Sequence, residues 1–328
     1  MKRIITLFLT LALILSLCAC AAPGEKADDG KIQIVATLFP YYDFARAIAG
    51  GRADVTLLLS PGREAHSFEP TPLDAVTISE ADVFLYNGGE GEYWVEEMLD
   101  AAGEHIAVKA RMMDYVDALG EEFSEGMQGA DAHDHDHEHD HEKNEAHDSD
   151  EFEYDEHIWT SPKNAAILCR AVCDAICRAD AENAAFYRAN CENYCAQLED
   201  LDARFAALCE SAPRRLLIFA DRFPMLYFCR EYGLDYRAAF HGCSGDTEPS
   251  LATIKFLIDK VEDENIPVVY TIDFGTKKVA AVVSECTGAA VDTLYSMQTV
   301  SRADFDAGET YLTLMERNYE ALRKGLNE

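Results

Sequence analysis

Residues 130–157 have the side chains best suited to chemistry in this sequence. Six histidines alternate there almost strictly with aspartate and glutamate: His133, His135, His137, His139, His141 and His147. Imidazole nitrogens and carboxylate oxygens bind borderline divalent metals, zinc foremost. No apolar run interrupts the segment, so we expect a mobile loop that collects metal weakly, because it cannot offset its ordering entropy. The alternative is a solvated acidic linker.

A seventh histidine, His157, ends this segment, directly before the apolar pair Ile158 and Trp159. Because apolar structure resumes there, we expect His157 to be fixed in position. His66 lies in a loop that follows a predicted strand, residues 55–59. Loops at the carboxyl ends of parallel strands are where open α/β sheets bind ligands. Both histidines are therefore candidate metal ligands.

Three polar residues in the second half of the chain follow predicted strands in the same way. Asp221 and Asp273 come after the apolar runs at residues 216–220 and 268–272, and His241 follows residues 236–240. An aspartate at a strand end is commonly a helix cap or a turn former. Together with His66 and His157, however, the two aspartates complete a four-coordinate set for a divalent transition metal. His241 is an alternative or an addition to Asp221.

The elements that must position these residues indicate an α/β fold with two lobes. Buried strands alternate with helices in each half, which is typical of parallel sheets. Residues 164–209 show one nearly unbroken helical pattern without proline or glycine, which predicts a long rigid helix between the lobes. We place the N-terminal lobe at residues 32–163, including the histidine-rich loop at 120–156. The connecting helix then covers 164–210, the C-terminal lobe covers 211–328, and the metal site lies in the cleft between the lobes.

The N-terminus predicts export. A basic start and an apolar core at residues 4–17 precede the sequence Leu17-Cys18-Ala19-Cys20, which is typical of a bacterial lipoprotein cleavage site. Residues 1–20 are then the signal peptide, Cys20 is the lipidated residue, and residues 21–31 form a tether. We expect an exported protein that a lipid anchors to the outer face of the bacterial cytoplasmic membrane.

Charge favours cations as partners. The net charge is −32, and residues 121–156 contribute sixteen acidic residues against one base, Lys143. This balance argues against nucleic acid and anionic lipid as ligands.

Nine cysteines follow the predicted signal peptide, and Cys169, Cys173 and Cys177 are spaced four residues apart, on one face of a helix. These thiols could bind a soft metal or simply pack in the core. No CxxC pair is present, and the sequence assigns the cysteines no function.

Several segments resemble the substrate-binding lipoproteins of zinc and manganese ABC importers. They are EAHSFEPTPLD, ADVFLYNG, the histidine-rich loop, DEHIWTSPKNA, YGLDYRAAF, TEPSLATIKFL and SMQTVSRADFDAGETYLTLMERNYEAL. The resemblance implies two α/β lobes that enclose one metal ion, with His66 and His157 as its first two ligands. The family's third histidine falls between Ala220 and Arg222, where only Asp221 can bind metal. The fourth ligand, an acid, falls on Asp273.

The resemblance also implies the function. The protein would be a monomer without catalytic activity that captures Zn²⁺ and delivers it to a membrane permease with a cytoplasmic ATPase. Two histidines with two carboxylates also suit Mn²⁺, which is the alternative metal, whereas the histidine-rich loop favours zinc.

Two further hypotheses concern function without transport. One is a surface adhesin or metal buffer, and the second is a secreted zinc hydrolase. The hydrolase would need a general base such as the glutamate of HExxH, and that motif is absent from the sequence.

Overall fold

The computed structural model describes residues 30–102, 105–127, 153–242 and 248–327. The predicted signal peptide, Cys20 and all six histidines of the loop lie outside these ranges. In the part of the chain that the structure describes, no helix combines the length and the hydropathy needed to cross a membrane.

The N-terminal lobe contains a four-stranded parallel sheet in the order β2-β1-β3-β4. Its strands are β1 (Ile32–Ala36), β2 (Ala53–Leu57), β3 (Val83–Tyr86) and β4 (Val108–Arg111), and its helices are α1 (Phe39–Ala49), α2 (Pro72–Ser79) and α3 (Trp94–Ala102). All residues of β3 are buried, as expected for a parallel strand covered on both faces. The sequence did not predict β4, which has only four residues and alternates between buried and exposed positions.

Two antiparallel helices connect the lobes, α4 (Pro162–Ala179) and α5 (Ala184–Ser211). The prediction of one continuous helix was wrong. The Asp180 carboxylate accepts a hydrogen bond from the Asn183 side chain at 2.7 Å and another from the Tyr187 hydroxyl at 2.6 Å. Such local side-chain bonds compete with the helical backbone pattern and end α4 without proline or glycine.

The C-terminal lobe repeats the architecture, with a parallel sheet in the order β6-β5-β7-β8. Its strands are β5 (Leu216–Phe223), β6 (Asp235–His241), β7 (Val268–Ile272) and β8 (Ala290–Leu294), and its helices are α6 (Leu226–Tyr232), α7 (Leu251–Asp263), α8 (Lys278–Thr287), α9 (Arg302–Ala307) and α10 (Tyr311–Asn327). The predicted two-lobed α/β fold is confirmed.

Helix α5 contacts both lobes. It has 28 residues and is about 42 Å long. It packs against α1 in the N-terminal lobe and against α6 and α10 in the C-terminal lobe. The connection between the lobes is therefore a packed helix rather than a free linker.

Asp43 in α1 joins three helices through one buried carboxylate, which is 1% exposed. It accepts hydrogen bonds from the Tyr194 hydroxyl in α5 at 2.7 Å and from the Tyr311 backbone amide in α10 at 3.0 Å. Arg46 donates to its other oxygen at 2.8 Å. This carboxylate therefore links the N-terminal lobe to the connecting helix and to the C-terminal lobe.

We predict that Asp43→Ala lowers the free energy of unfolding by about 3 kcal/mol, because a buried hydroxyl and a buried amide lose their acceptor. Arg46→Ala is the matched control. Its side chain is 42% exposed, so its loss costs less than about 1 kcal/mol. Urea unfolding of both variants measures the difference, and equal costs would contradict the role assigned to Asp43.

Candidate metal centre

His66 and His157, the two histidines that the sequence marks as candidate ligands, lie side by side. His66 is in the loop after β2, and its ring centroid is 5.7 Å from that of the buried His157. Two imidazoles that bind one zinc ion through Zn–N bonds of about 2.1 Å have similar centroid separations, about 5 to 6 Å. The Gln298 side-chain nitrogen lies 3.2 Å from His66 Nε2 and helps to hold the ring in position. The pair is therefore spaced for a shared ion.

The side chain of Asp155, two residues earlier in the chain, holds His157 in position. The Asp155 carboxylate accepts a hydrogen bond from the His157 backbone amide at 2.8 Å and lies 3.2 Å from ring atom Nδ1. A proton on Nδ1 donates to Asp155 and leaves the Nε2 lone pair for a metal. A Cβ atom added at Gly242, directly after β6, would lie 2.9 Å from the Phe223 carbonyl oxygen and 3.0 Å from the His157 ring, so a larger residue there would require the backbone or the ring to shift.

The two histidines differ in how readily they take up a proton. Burial, together with the positive charges of His157 and Arg222, lowers the pKa of His66 to about 3. Burial also opposes the charge on His157, but the Asp155 carboxylate outweighs it and raises the His157 pKa above its usual 6.5. As pH falls, His157 is therefore protonated before His66.

Two further groups with metal-binding atoms act on this pair through their charges, although no three of the four side chains have ligand atoms all within 4.8 Å of one another. His241 is the last residue of β6. Its Nδ1 atom lies 2.7 Å from the Oε1 atom of Glu121. The charges of both His241 and Glu121 act on the pKa of His66. The Glu121 side chain is only 5% exposed. Sequence reasoning gives His241 as an alternative ligand and misses Glu121, because it lies at the start of a long acidic stretch where no single acid stands out.

Asp221 and Asp273 form a separate carboxylate pair at neighbouring strand ends. Strand β5 extends through Phe223 rather than ending at residue 220, so Asp221 lies within it, at a shift of register between Phe219 and Arg222. Its carboxylate accepts hydrogen bonds from the backbone amides of Arg222 at 2.9 Å and Ile272 at 3.4 Å. The Asp221 side chain therefore points toward the end of β7.

Asp273 accepts a hydrogen bond from the Ser296 backbone amide at 3.1 Å. Burial raises the pKa of Asp273 to about 6, and the nearby charge of Asp221 adds to that effect.

Among the described residues, no three of His66, His157, Asp221 and Asp273 have ligand atoms all within 4.8 Å of one another. The structure brings the two histidines together and the two aspartates together. It does not bring the four predicted ligands into one set.

Comparisons with known proteins identify the family. Residues 34–325 match the model of ZnuA, described as zinc-uptake complex component A, periplasmic. The zinc uptake system protein ZnuA of Bacillus subtilis is 32% identical over 98% of this chain and 97% of its own length. The zinc-binding lipoprotein AdcA of Streptococcus pneumoniae is 29% identical over 95% of this chain, which spans only 60% of that longer protein.

Solved structures agree with the sequence comparisons. The Zn(II)-bound ZnuA-like domain of Streptococcus pneumoniae AdcA superimposes with a TM-score of 0.72 at 26% identity, covering 91% of this chain and all of that domain. The metal-dependent lipoprotein YcdH of Bacillus subtilis superimposes with a TM-score of 0.73 at 28% identity, covering 90% of this chain and all of that one. The family model covers nearly all of the chain after residue 33, so this chain belongs to the zinc-uptake complex component A family of ABC-importer binding proteins.

Proposed function

We propose that this protein captures one Zn²⁺ ion between its lobes and delivers it to the permease of an ABC importer. The main observation in support of this proposal is that the rings of His66 and His157 are adjacent, with their centroids 5.7 Å apart. Two relatives are named for zinc uptake or zinc binding, and one structural neighbour was solved with Zn(II). The protein acts as a binder without catalysis, and the ion is its cargo.

The donor set and the choice of metal are linked. We take His241 and Glu121 as the remaining ligands, because the charges of both act on His66 and the charge of Glu121 also acts on His157. Metal binding must then draw these four side chains closer together, since no three of them have ligand atoms all within 4.8 Å of one another. Three nitrogens and one oxygen suit zinc. The pair predicted from sequence, Asp221 and Asp273, would give two nitrogens and two oxygens, a harder set that suits manganese better. Affinity alone does not separate these metals, because most sites bind Zn²⁺ more tightly than Mn²⁺.

The remaining parts of the proposal concern delivery. The histidine-rich loop at residues 120–156 collects zinc weakly and raises its concentration near the cleft. Lipid on Cys20 holds the protein, as a monomer, at the outer face of the cytoplasmic membrane, next to a permease with its ATPase. The lipoprotein name of the streptococcal relative supports the anchor.

We predict one tight equivalent of zinc in a competitive titration of the mature chain against a chelator. His66→Ala combined with His157→Ala weakens that binding by more than about 100-fold, since loss of even an outer partner of a ligand costs about 10- to 100-fold. The control replaces the six loop histidines by asparagine and keeps the tight equivalent. The reverse pattern, with the tight equivalent lost in the control, would place the primary site in the loop and contradict the proposal.

A second prediction separates the two donor sets. His241→Asn weakens zinc binding by at least about tenfold, which corresponds to the loss of one ligand contact worth about 1.4 kcal/mol or more. Asp221→Asn, the matched control, leaves zinc affinity within about threefold, because its carboxylate serves the backbone of β5 and β7. If Asp221→Asn gives the large loss instead, the carboxylate pair holds the metal and the case for manganese is strengthened.

A third prediction concerns pH. Zinc needs a neutral imidazole, so its affinity is constant above the raised pKa of His157 and falls as pH drops through that value. Since His66 stays neutral down to about pH 3, the fall in the His241→Asn variant, which leaves His66 and His157 as the ligating imidazoles, is about tenfold per pH unit, with one proton taken up per zinc released. Zinc titrations over about three pH units around the usual histidine pKa measure the slope. A two-proton dependence would contradict the asymmetry between the two rings.

A further inference from the structure

Five buried cysteines face one another between the two connecting helices. They are Cys169, Cys173 and Cys177 of α4, and Cys191 and Cys195 of α5. The spacing of four residues places each set on one side of its helix. Cys191 Sγ lies 3.8 Å from the Cys169 carbonyl oxygen, and Cys195 Sγ lies 3.7 Å from the Ala166 carbonyl oxygen. The cysteines of α5 therefore face those of α4.

Three of these thiols have the spacing of metal ligands. The Sγ atoms of Cys169, Cys191 and Cys195 all lie within 4.8 Å of one another, which no other set of three ligating side chains in the described ranges achieves. Cys191 Sγ and Cys195 Sγ are 3.8 Å apart. A tetrahedral site with Zn–S bonds of about 2.3 Å has sulfur atoms about 3.8 Å apart, and a trigonal site has them about 4.0 Å apart. The sulfurs therefore need little movement to bind an ion.

A fourth donor is within reach. Cys173 is one turn after Cys169 on α4, and the thiol of Cys191 interacts with it. Its Sγ lies 3.9 Å from that of Cys177, which continues the row of thiols. The helix pair can thus offer either a trigonal or a tetrahedral set of sulfurs.

The cluster borders a cavity whose lining carries charges of both signs. The cavity has a volume of about 450 Å³ and is lined by Cys173, Cys191 and Cys195, by Arg170 and Arg188, and by the acids Asp174, Glu192 and Glu199. Arg170 is about half exposed and forms an ion pair with Glu199, which also lines the cavity. Bound thiolates carry negative charge, and the Arg170 guanidinium offsets part of it. An ion can therefore enter from solvent and find a site whose charge is partly balanced.

Ordinary packing does not account for this arrangement. Cys209 and Cys229 are also buried and lie near each other, but they are outside the three-thiol set, so burial of cysteine does not by itself produce the ligand spacing. A helix pair built only for packing would bury larger aliphatic side chains, which remove more apolar surface from water.

We propose that Cys169, Cys191 and Cys195, with Cys173 as a fourth donor, bind a thiophilic d¹⁰ cation, Zn²⁺ or Cu⁺, at a second site in the connecting helix pair. This site is independent of the cleft and of the function proposed for His66 and His157.

The test uses cobalt as a probe, because sulfur and imidazole ligands give different spectra. The mature chain, reduced and kept free of oxygen, is titrated with Co²⁺ while absorption is recorded in the near ultraviolet. We expect sulfur-to-cobalt charge-transfer bands whose final intensity corresponds to one sulfur-bound Co²⁺ per chain, whether the cleft or the cluster fills first. Cys191→Ser abolishes them, whereas His66→Ala combined with His157→Ala leaves them unchanged. Absence of these bands in the reduced, folded chain would overturn the proposal.

Competition identifies the ion. Zn²⁺ and Cu⁺, the latter supplied from a chelated stock, are each added to the cobalt-loaded chain. Displacement by two equivalents of Zn²⁺, enough for the cleft and the cluster, assigns the site to zinc, and displacement by Cu⁺ alone assigns it to copper. Failure of both ions to remove the bands would overturn the proposal.

Two controls separate metal binding from a structural role. Cys209→Ser combined with Cys229→Ser removes two buried thiols outside the cluster and keeps the charge-transfer bands. If Cys191→Ser fails to fold, the test uses the unaltered chain instead. The rate at which each of its cysteines is alkylated, with and without metal, is measured by mass spectrometry. We expect two equivalents of Zn²⁺, enough to fill the cleft and the cluster, or one equivalent of Cu⁺ to slow alkylation of the four cluster cysteines at least tenfold and to leave the exposed Cys286 unaffected. Equal rates with and without both metals would overturn the proposal.

Discussion

The structure depends on a short segment, residues 155–159, that is hydrogen-bonded to both lobes. From the N-terminal lobe, the Asn87 side chain donates to the Glu156 carbonyl at 3.0 Å. From the C-terminal lobe, the Tyr227 hydroxyl donates to the Asp155 carbonyl at 2.8 Å, and Trp159 Nε1 donates to the Ser296 carbonyl at 2.7 Å. His157 lies in the middle of this segment. Its position is therefore fixed relative to both sheets before any ion arrives, which reduces the ordering cost of binding.

Buried charge explains why a cation suits this cleft. Burial raises the pKa of Glu92 to about 7 and also raises that of Glu156, so both carboxyl groups lie where negative charge is costly. Glu121 and Asp155 add further acids beside the histidines. A divalent ion between the lobes stabilises these carboxylates, so the same groups that disfavour an empty site favour an occupied one. Selection for cations thus follows from the packing around the ligands.

The sequence predicts much of this architecture because buried parallel strands are continuous apolar runs. Residues 268–272 are recognisable for that reason. The end of the strand at 55–59 then locates His66, whereas the apolar pair after His157 locates that residue. The break at Asp180 was not predictable from proline or glycine, since it results from side-chain bonds to Asn183 and Tyr187. The direction of the Asp221 side chain depends on a register shift in β5, which leaves no mark in the sequence. Contacts between distant segments, such as that of Glu121 with His241, appear only once the chain has folded.

The central claim is that the first ion bound lies between His66 and His157. Diffraction data collected at the zinc absorption edge, from crystals of the chain with one equivalent of zinc, test it most directly. The account predicts a single strong anomalous peak within bonding distance of both imidazoles, about 2.1 Å from each. A peak at any other place, with none between these two rings, would contradict it.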